Sequence, residues 1–370
     1  MENPFIFGRA VAGKHFVDRE EELRELTASL LSGQHIVLFS PRKMGKTSLI
    51  KRVFEDLEDV DALCIYIDLW QITSTHALAK EIVNSVVNKT YTSAEKLGRE
   101  LKDLFRSLRP RVYLEMDGQI GVEFGRERVE EALRDALDLP ERVAKNKETR
   151  LIIALDEFQE ITHLNGLPLE KIFRSTLQHH ENVSYIFAGS ERSLIDMIFE
   201  ERERPFYRFA KQMELQPISG GVLERFIMDK FALSGKKIDR DAAAWIAEFS
   251  RGVPYYVQHI CHEVWYMTGE VVDVGLVEQC LNDRILPVLS SGFQTIWNRI
   301  RSQGQRRVLI GVANEDQPKI YSQGFIGRYE LKSPAHVEKA VKSLNRAGLM
   351  DGNEIEDIFF AEWVRANFSF

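Results

Sequence analysis

The nine residues Ser40-Pro-Arg-Lys-Met-Gly-Lys-Thr-Ser48 constrain this chain more than any other stretch. They follow a short apolar run, His35-Ile-Val-Leu-Phe39, with the length and β propensity of a strand. They open a segment, Lys46 to about Leu57, that reads as a helix. A strand that feeds Gly-Lys-Thr into a helix N-terminus makes a phosphate cradle, because the loop and first-turn N–H groups point inward at phosphate oxygens. The expected nucleotide-binding set is therefore Pro41, Arg42, Lys43, Met44, Gly45, Lys46, Thr47 and Ser48. Lys46 reaches the β- and γ-phosphates and the Thr47 hydroxyl suits Mg²⁺. The strict motif starts with glycine, and this chain has Ser40 there.

A second element gives the loop a partner. Leu151-Ile-Ile-Ala-Leu155 is a continuous apolar run, as expected of a strand buried on both faces, and it ends in Asp156-Glu157. Asp156 is the expected second Mg²⁺ residue, and Glu157 the base that polarises an attacking water. A third apolar run, Ser184–Ala188, ends in Gly189-Ser190-Glu191-Arg192. Ser190 is the candidate for orienting that water or sensing the γ-phosphate, with Arg192 as the runner-up. Arg208 is a further candidate, for positive charge at the transition state.

The remaining elements complete an α/β pattern. A helix is expected over 18–33, with Asp18 as its N-cap and Glu21 closing a capping box. Others are expected at 76–90, 127–145 and 168–180, with a strand at Cys64–Leu69. The runs 111–116 and 119–124 flank Asp117-Gly118, a hairpin signal inserted on the core. Strands alternating with helices imply a parallel sheet of βαβ units. From about 217 to 287 the pattern is helical, without a strand run. Beyond it, helices are expected near 293–313, 320–328 and 334–347, followed by a wing-like run at 353–360 after Asp351-Gly352. The divisions are a core at 1–216, a helical lid at 217–287 and a winged helix at 288–370.

Composition limits the function classes. Net charge is −7 and hydrophobic residues make up 44%, so cores are affordable and a general nucleic-acid coat is not expected. Cys64, Cys261 and Cys280 are too few and scattered for a disulfide or zinc framework. No apolar run reaches membrane-spanning length and the start lacks a signal-peptide pattern, so a cytoplasmic protein with no membrane partner is expected. Charge is uneven, however. Residues 288–350 hold ten Lys or Arg against four Asp or Glu, a balance of +6. In the helix at 334–347, Ser333 is the N-cap and Val337, Val341 and Leu344 face inward. His336, Lys339, Lys342 and Arg346 would face outward, where a winged helix presents cations to double-stranded DNA.

Taken together, these pieces resemble the STAND-type ATPases of the AAA+ superfamily, in particular the archaeal-type ATPases. The resemblance is carried by Phe16-Val-Asp-Arg-Glu-Glu21, Pro41–Ser48, Leu155-Asp-Glu-Phe158 and Ala188-Gly-Ser190. Pro205-Phe-Tyr-Arg208, Gly252-Val-Pro-Tyr-Tyr256 and the tail Asp357–Arg365 extend it. It implies an ATPase core, a helical lid and a winged helix. It also implies ATP, ADP and Mg²⁺ as cofactors, with Phe16, Val17 and Arg19 near adenine and Pro254 and Tyr255 touching nucleotide from the lid. The function expected is an ATP-hydrolysing switch that engages a protein partner. The alternatives are a DNA-binding module with a structural nucleotide and a small-molecule kinase.

Overall fold

Four consecutive apolar residues, Ile36–Phe39, form β1, and every one is buried. The structure is a computed structural model. It describes all residues except 1, 12, 14, 15, 58, 59, 61, 92–103, 106–109, 117, 126, 127, 165, 270, 369 and 370. Two compact units are present, Phe7–Ile218 with Val253–Tyr255, and Met1–Ile6 with Ser219–Gly252 and Tyr256–Phe370.

In chain order the first unit runs α1 (Glu20–Leu31), β1, α2 (Lys46–Leu57), β2 (Ala62–Asp68) and α3 (Thr75–Thr90). It continues through β3 (Arg111–Leu114), β4 (Ile120–Glu123), α4 (Val129–Lys147), β5 (Arg150–Asp156) and α5 (Leu169–Leu177). The last elements are β6 (Val183–Gly189), α6 (Arg192–Glu200) and β7 (Lys211–Glu214). The main sheet is parallel, in the order β2-β5-β6-β1-β7.

Alternation along the strands divides the apolar residues between two faces. Ile36, Leu38, Ile152, Ala154, Ile186 and Ala188 pack with Leu26 and Leu30 of α1 and Leu49, Ile50 and Val53 of α2. Val37, Phe39, Ile153, Leu155 and Phe187 pack on the other face with α3, α4, α5 and α6. Burial on both faces explains why β1, β5 and β6 read as unbroken apolar runs.

The hairpin β3–β4 is antiparallel, with Leu114 opposite Ile120. Asn88 of α3 brackets Ile120, accepting from its N–H at 2.8 Å and donating to its carbonyl at 3.0 Å. Asn84 accepts from the Val122 N–H at 3.0 Å, so two amide side chains serve as the neighbour that β4 lacks. Asp117, half of the turn signal, lies outside the described residues.

Several boundaries differ from expectation, each for a local reason. Helix α1 begins at Glu20 without a side-chain cap, since Asp18 and Arg19 both adopt positive φ, 55° and 77°. Strand β7 was not foreseen, because only Met213 of its four residues is buried.

The second unit contains α7 (Gly220–Leu233), β8 (Lys237–Ile238), α8 (Arg240–Phe249), α9 (Pro254–Met267) from Tyr256 onward, β9 (Val271–Val272) and α10 (Val274–Cys280). The expectation of no strand from about 217 to 287 is corrected by β8 and β9, two-residue strands that pair in parallel. Phe5 joins this unit, its ring 5.0 Å from that of Phe231.

Helices α11 (Leu286–Arg299), α12 (Gln303–Asn314), α13 (Gln323–Arg328) and α14 (Pro334–Arg346) follow, then β10 (Met350–Asp351), β11 (Glu354–Ile355) and α15 (Ile358–Asn367). The single helix expected at 293–313 is two, broken at extended Ile300 and restarted by Ser302, which caps α12. The wing is β10–β11, earlier than the run at 353–360. Asp357 accepts from the Phe359 N–H at 2.9 Å and starts α15 there.

Candidate active site

The sheet register brings three loops together. β6 lies between β5 and β1, with Phe39 opposite Gly189 and Leu155 opposite Phe187. The turns after β1, β5 and β6 therefore emerge side by side at the carboxyl edge of the sheet, where open α/β sheets bind ligands.

The first turn is the phosphate loop. Its two residues at positive φ are Lys43 (71°) and Gly45 (88°). Ser40 is not among the positive-φ residues, so a glycine's freedom is not needed there and the departure from the motif causes no strain. The Ser40 side chain is fully buried, and its N–H extends the β1–β6 ladder to the Gly189 carbonyl at 3.3 Å. The Leu49 N–H bonds to the Gly45 carbonyl at 2.9 Å, closing the first turn of α2. The N–H groups of Lys46, Thr47 and Ser48 precede that bond and are left for another acceptor. Ser48 Oγ accepts from the Val11 N–H at 3.0 Å and is engaged in holding the N-terminal segment. Arg42 lies over the Trp70 ring, 5.9 Å from its centroid. Lys43 lies over the Tyr255 ring at 5.0 Å, so Tyr255 stands beside the loop.

Around Lys46 the charged groups converge. Its Nζ lies 3.4 Å from Asp156 Oδ1 and 3.3 Å from Glu157 Oε1. Thr47 Oγ1 donates to Asp156 Oδ2 at 2.8 Å, and Tyr66 Oη donates to the same oxygen at 2.7 Å. Ser190 Oγ donates to Glu157 Oε2 at 2.7 Å. Burial pushes the Asp156 carboxyl up. The Lys46 charge and the hydrogen bonds from Tyr66, Thr47 and the Glu157 N–H outweigh it and hold the group below the usual carboxylate range. Burial, with the Asp156 charge beside it, raises the Tyr66 phenol, so it remains a donor at neutral pH.

The Thr47 hydroxyl and the Asp156 carboxylate are hard oxygen donors at one corner of the loop, a set that fits Mg²⁺. Among the described residues there is no cluster of three or more His, Cys, Asp or Glu that could hold a metal alone.

The other expected residues have the following surroundings. Phe16 packs against the core face shared by α1 and α2, and Val17 is buried. Arg19 is buried and donates to Glu22 at 2.8 Å and to the Gln216 carbonyl at 2.7 Å. Arg192 pairs with Glu214 at 2.7 Å and stays exposed. Arg208 is exposed and precedes β7, whose Lys211 lies opposite Ile36, the start of β1. That is the edge of the sheet away from the phosphate loop, so Arg208 does not join the cluster.

In α14, Lys339, Lys342 and Arg346 are exposed, and Lys342 pairs with Glu338 at 2.7 Å. His336 is not on that outward face. A Cβ built on Gly304 of α12 would lie 2.4 Å from its ring, so the ring packs between the two helices.

Two residues of the site escaped sequence reasoning. Tyr66 becomes visible only through the β2–β5 register, in which Asp68 lies opposite Asp156. Gln159 is fully buried and donates from Nε2 to Glu157 Oε2 at 2.5 Å. Its one signal was a polar residue directly after the apolar Phe158.

A parallel sheet with a phosphate loop after β1 and an Asp-Glu pair after β5 defines a P-loop NTPase. Residues 16–239 match the ATPase domain family found predominantly in Archaea, and the chain belongs to that family. Residues 291–366 match a probable winged helix domain. The fold is similar to a Walker-type ATPase of Pyrococcus abyssi, with TM-score 0.65, 17% identity and coverage of 98% of this chain and 99% of that one. It is also similar to the ORC2 protein of Aeropyrum pernix in its ADPNP-ADP complexes, with TM-score 0.58, 13% identity and 94% of each chain covered. The ORC1 protein of Aeropyrum pernix in complex with DNA gives TM-score 0.51 at 14% identity, covering 97% of this chain and 94% of that one. A stretch of 98 residues is 30% identical to part of an uncharacterized WD repeat-containing protein of Synechocystis. That stretch is 26% of this chain and only 8% of the relative. Among the described residues no helix is long and apolar enough to cross a membrane.

Proposed function

We propose that this chain is an ATP-hydrolysing switch in which Glu157 activates the attacking water. The observation that carries the reading is the convergence of Lys46, Thr47, Asp156, Glu157 and Ser190 at one sheet edge. The Lys46 ammonium lies between two carboxylates, Asp156 and Glu157. Incoming phosphates compete for that ammonium, and the first-turn N–H groups of α2 bind their oxygens. Mg²⁺, when bound by Thr47 and Asp156, supplies charge neutralisation at the phosphate oxygens. Glu157 then accepts the proton of a water, and Ser190 fixes the carboxylate from its other side.

The division into core (1–216), helical lid (217–287) and winged helix (288–370) belongs to this proposal. Nucleotide state would move the lid and winged helix and so change what a protein partner meets. Tyr255, over which Lys43 lies, supports a link from loop to lid sequence. Membership of the STAND branch is proposed on the same motifs, with the similarity to a WD repeat-containing protein in support. Arg208 is given no part in this mechanism, because it precedes the start of β7 and not the phosphate loop.

A second reading, contact with double-stranded DNA, is favoured by the three exposed cations of α14, Lys339, Lys342 and Arg346.

Glu157→Gln tests the main reading, because it keeps shape and removes the base. ATP should still bind, and turnover should fall by at least about 100-fold. Normal turnover in that variant would remove Glu157 from the mechanism.

A further inference from the structure

We infer that Gln159 is the positioning residue that anchors the Glu157 carboxylate, leaving Oε1 as the oxygen that takes the proton. The inference rests on the reading of Glu157 as the base.

Gln159 lies two residues beyond Glu157, in the short 3₁₀ turn Phe158–His163 that follows β5. The turn begins with Glu157 itself at φ 53°, an uncommon conformation for a side chain without a local hydrogen-bonding advantage. That bend brings the amide of Gln159 back onto the carboxylate. The Gln159 side chain is fully buried. Its Nε2 donates to Glu157 Oε2 at 2.5 Å, and Ser190 Oγ donates to the same oxygen at 2.7 Å.

The other half of the amide is unsatisfied. Gln159 Oε1 is buried and has no hydrogen-bond partner among the described residues. It occupies space kept open by Gly189, where a Cβ would stand 2.7 Å from that oxygen. A buried amide that meets one of its needs and not the other costs stability compared with an apolar residue of the same shape. Packing alone gives no reason for glutamine here, whereas a donor aimed at a carboxylate does.

The two oxygens of Glu157 are held differently. Oε2 accepts from two neutral donors, a buried amide and the Ser190 hydroxyl. Oε1 faces Lys46 at 3.3 Å, and Lys46 is the group that phosphates attract. When the ammonium turns to phosphate, Oε1 becomes available while Oε2 remains anchored. The carboxylate can then accept a proton without first having to be oriented.

Gln159→Met tests this, because it keeps the length and removes the N–H donor, and Gln159→Leu serves as a second apolar replacement. Steady-state turnover, KM for ATP and thermal stability are measured for the full chain, alone and combined with Glu157→Gln. Expected is a fall in kcat of about tenfold or more, with KM within about twofold and Tm no lower than in the parent. In the Glu157→Gln background, single-turnover rates should show no further loss, because the anchor has no carboxylate to hold. An unchanged kcat overturns the inference. So does an equal fold-loss in both backgrounds, or a joint fall in kcat and Tm with a raised KM. Normal turnover by Glu157→Gln alone would instead overturn the assignment of the base, a result separable from any of these.

Discussion

Replacing Lys46 with methionine removes a cation that two carboxylates share. The ammonium side chain is 8% exposed, with Asp156 at 3.4 Å and Glu157 at 3.3 Å, whose side chains are 4% and 24% exposed. At an effective permittivity of about 20, each contact corresponds to about 5 kcal/mol of Coulomb attraction before desolvation. Lys46→Met leaves the carboxylates in place without their partner, the case in which buried pairs show their largest effect. Solvent reaches Glu157, so the lower end of the range applies, about 3 kcal/mol. The assay is urea unfolding of the nucleotide-free chain at pH 7.5, followed by circular dichroism. With a denaturant dependence of about 3 kcal/mol per molar, the midpoint should fall by about 1 M. The deficit should also shrink in acid, for two reasons. Asp156 in the parent has a lowered value, so its stabilisation is lost as pH falls through the carboxylate range. In the variant, Asp156 without that cation takes up a proton more readily and regains stability over the same range. An unchanged midpoint at pH 7.5 would refute the argument, since the carboxylates would then not depend on Lys46.

Two further outcomes follow from the geometry. His35 lies against Tyr185, Phe187 and Phe209, and its pKa is lowered to about 4 by burial, with His180 and Arg174 adding to the effect. The unfolded chain protonates His35 first, so this stability is present above about pH 6.5 and lost as pH falls towards 4. Between pH 7 and 5 the loss should be about 2 kcal/mol, and His35→Gln should flatten the profile by that amount. An identical profile in the variant would rule His35 out. Tyr66→Phe removes one of the donors that orient Asp156 Oδ2. The Mn²⁺ concentration needed to bind with ADP, followed by paramagnetic relaxation, should rise about fivefold, as expected for about 1 kcal/mol. An unaltered metal requirement would leave Tyr66 without a role at the metal corner.

What the sequence made legible depended on how local the cause was. Helix α2 begins at Lys46 and ends at Leu57, as expected, because a strand, a glycine turn and an apolar period all lie within one short stretch. Strands β1, β5 and β6 declared themselves through burial on both faces. The start of α1 was hidden because Arg19 takes its conformation while bonding to Gln216, distant in sequence. Strand β7 was hidden because its order comes from pairing with β1 and not from its own Lys-Gln-Met-Glu. The charged residues of the site were readable from motif order, since each directly follows or opens an apolar element. Tyr66 and Gln159 were not, because each acts on an acid that only the sheet register or a left-handed turn brings near. His336 was expected on the outer face of its helix, yet the absent side chain of Gly304 on the neighbouring helix leaves room for its ring inside.

The central claim is that nucleotide state at Lys46, Thr47, Asp156 and Glu157 is felt in the lid and winged helix. Amide hydrogen exchange over residues 219–370 tests it most directly, with Glu157→Gln loaded with ATP compared against the same protein with ADP. The account predicts that exchange in this region differs between ATP and ADP, and that Lys46→Met abolishes the difference. Identical exchange with both nucleotides, under saturating binding, would contradict the switch and leave a chain that merely holds ATP.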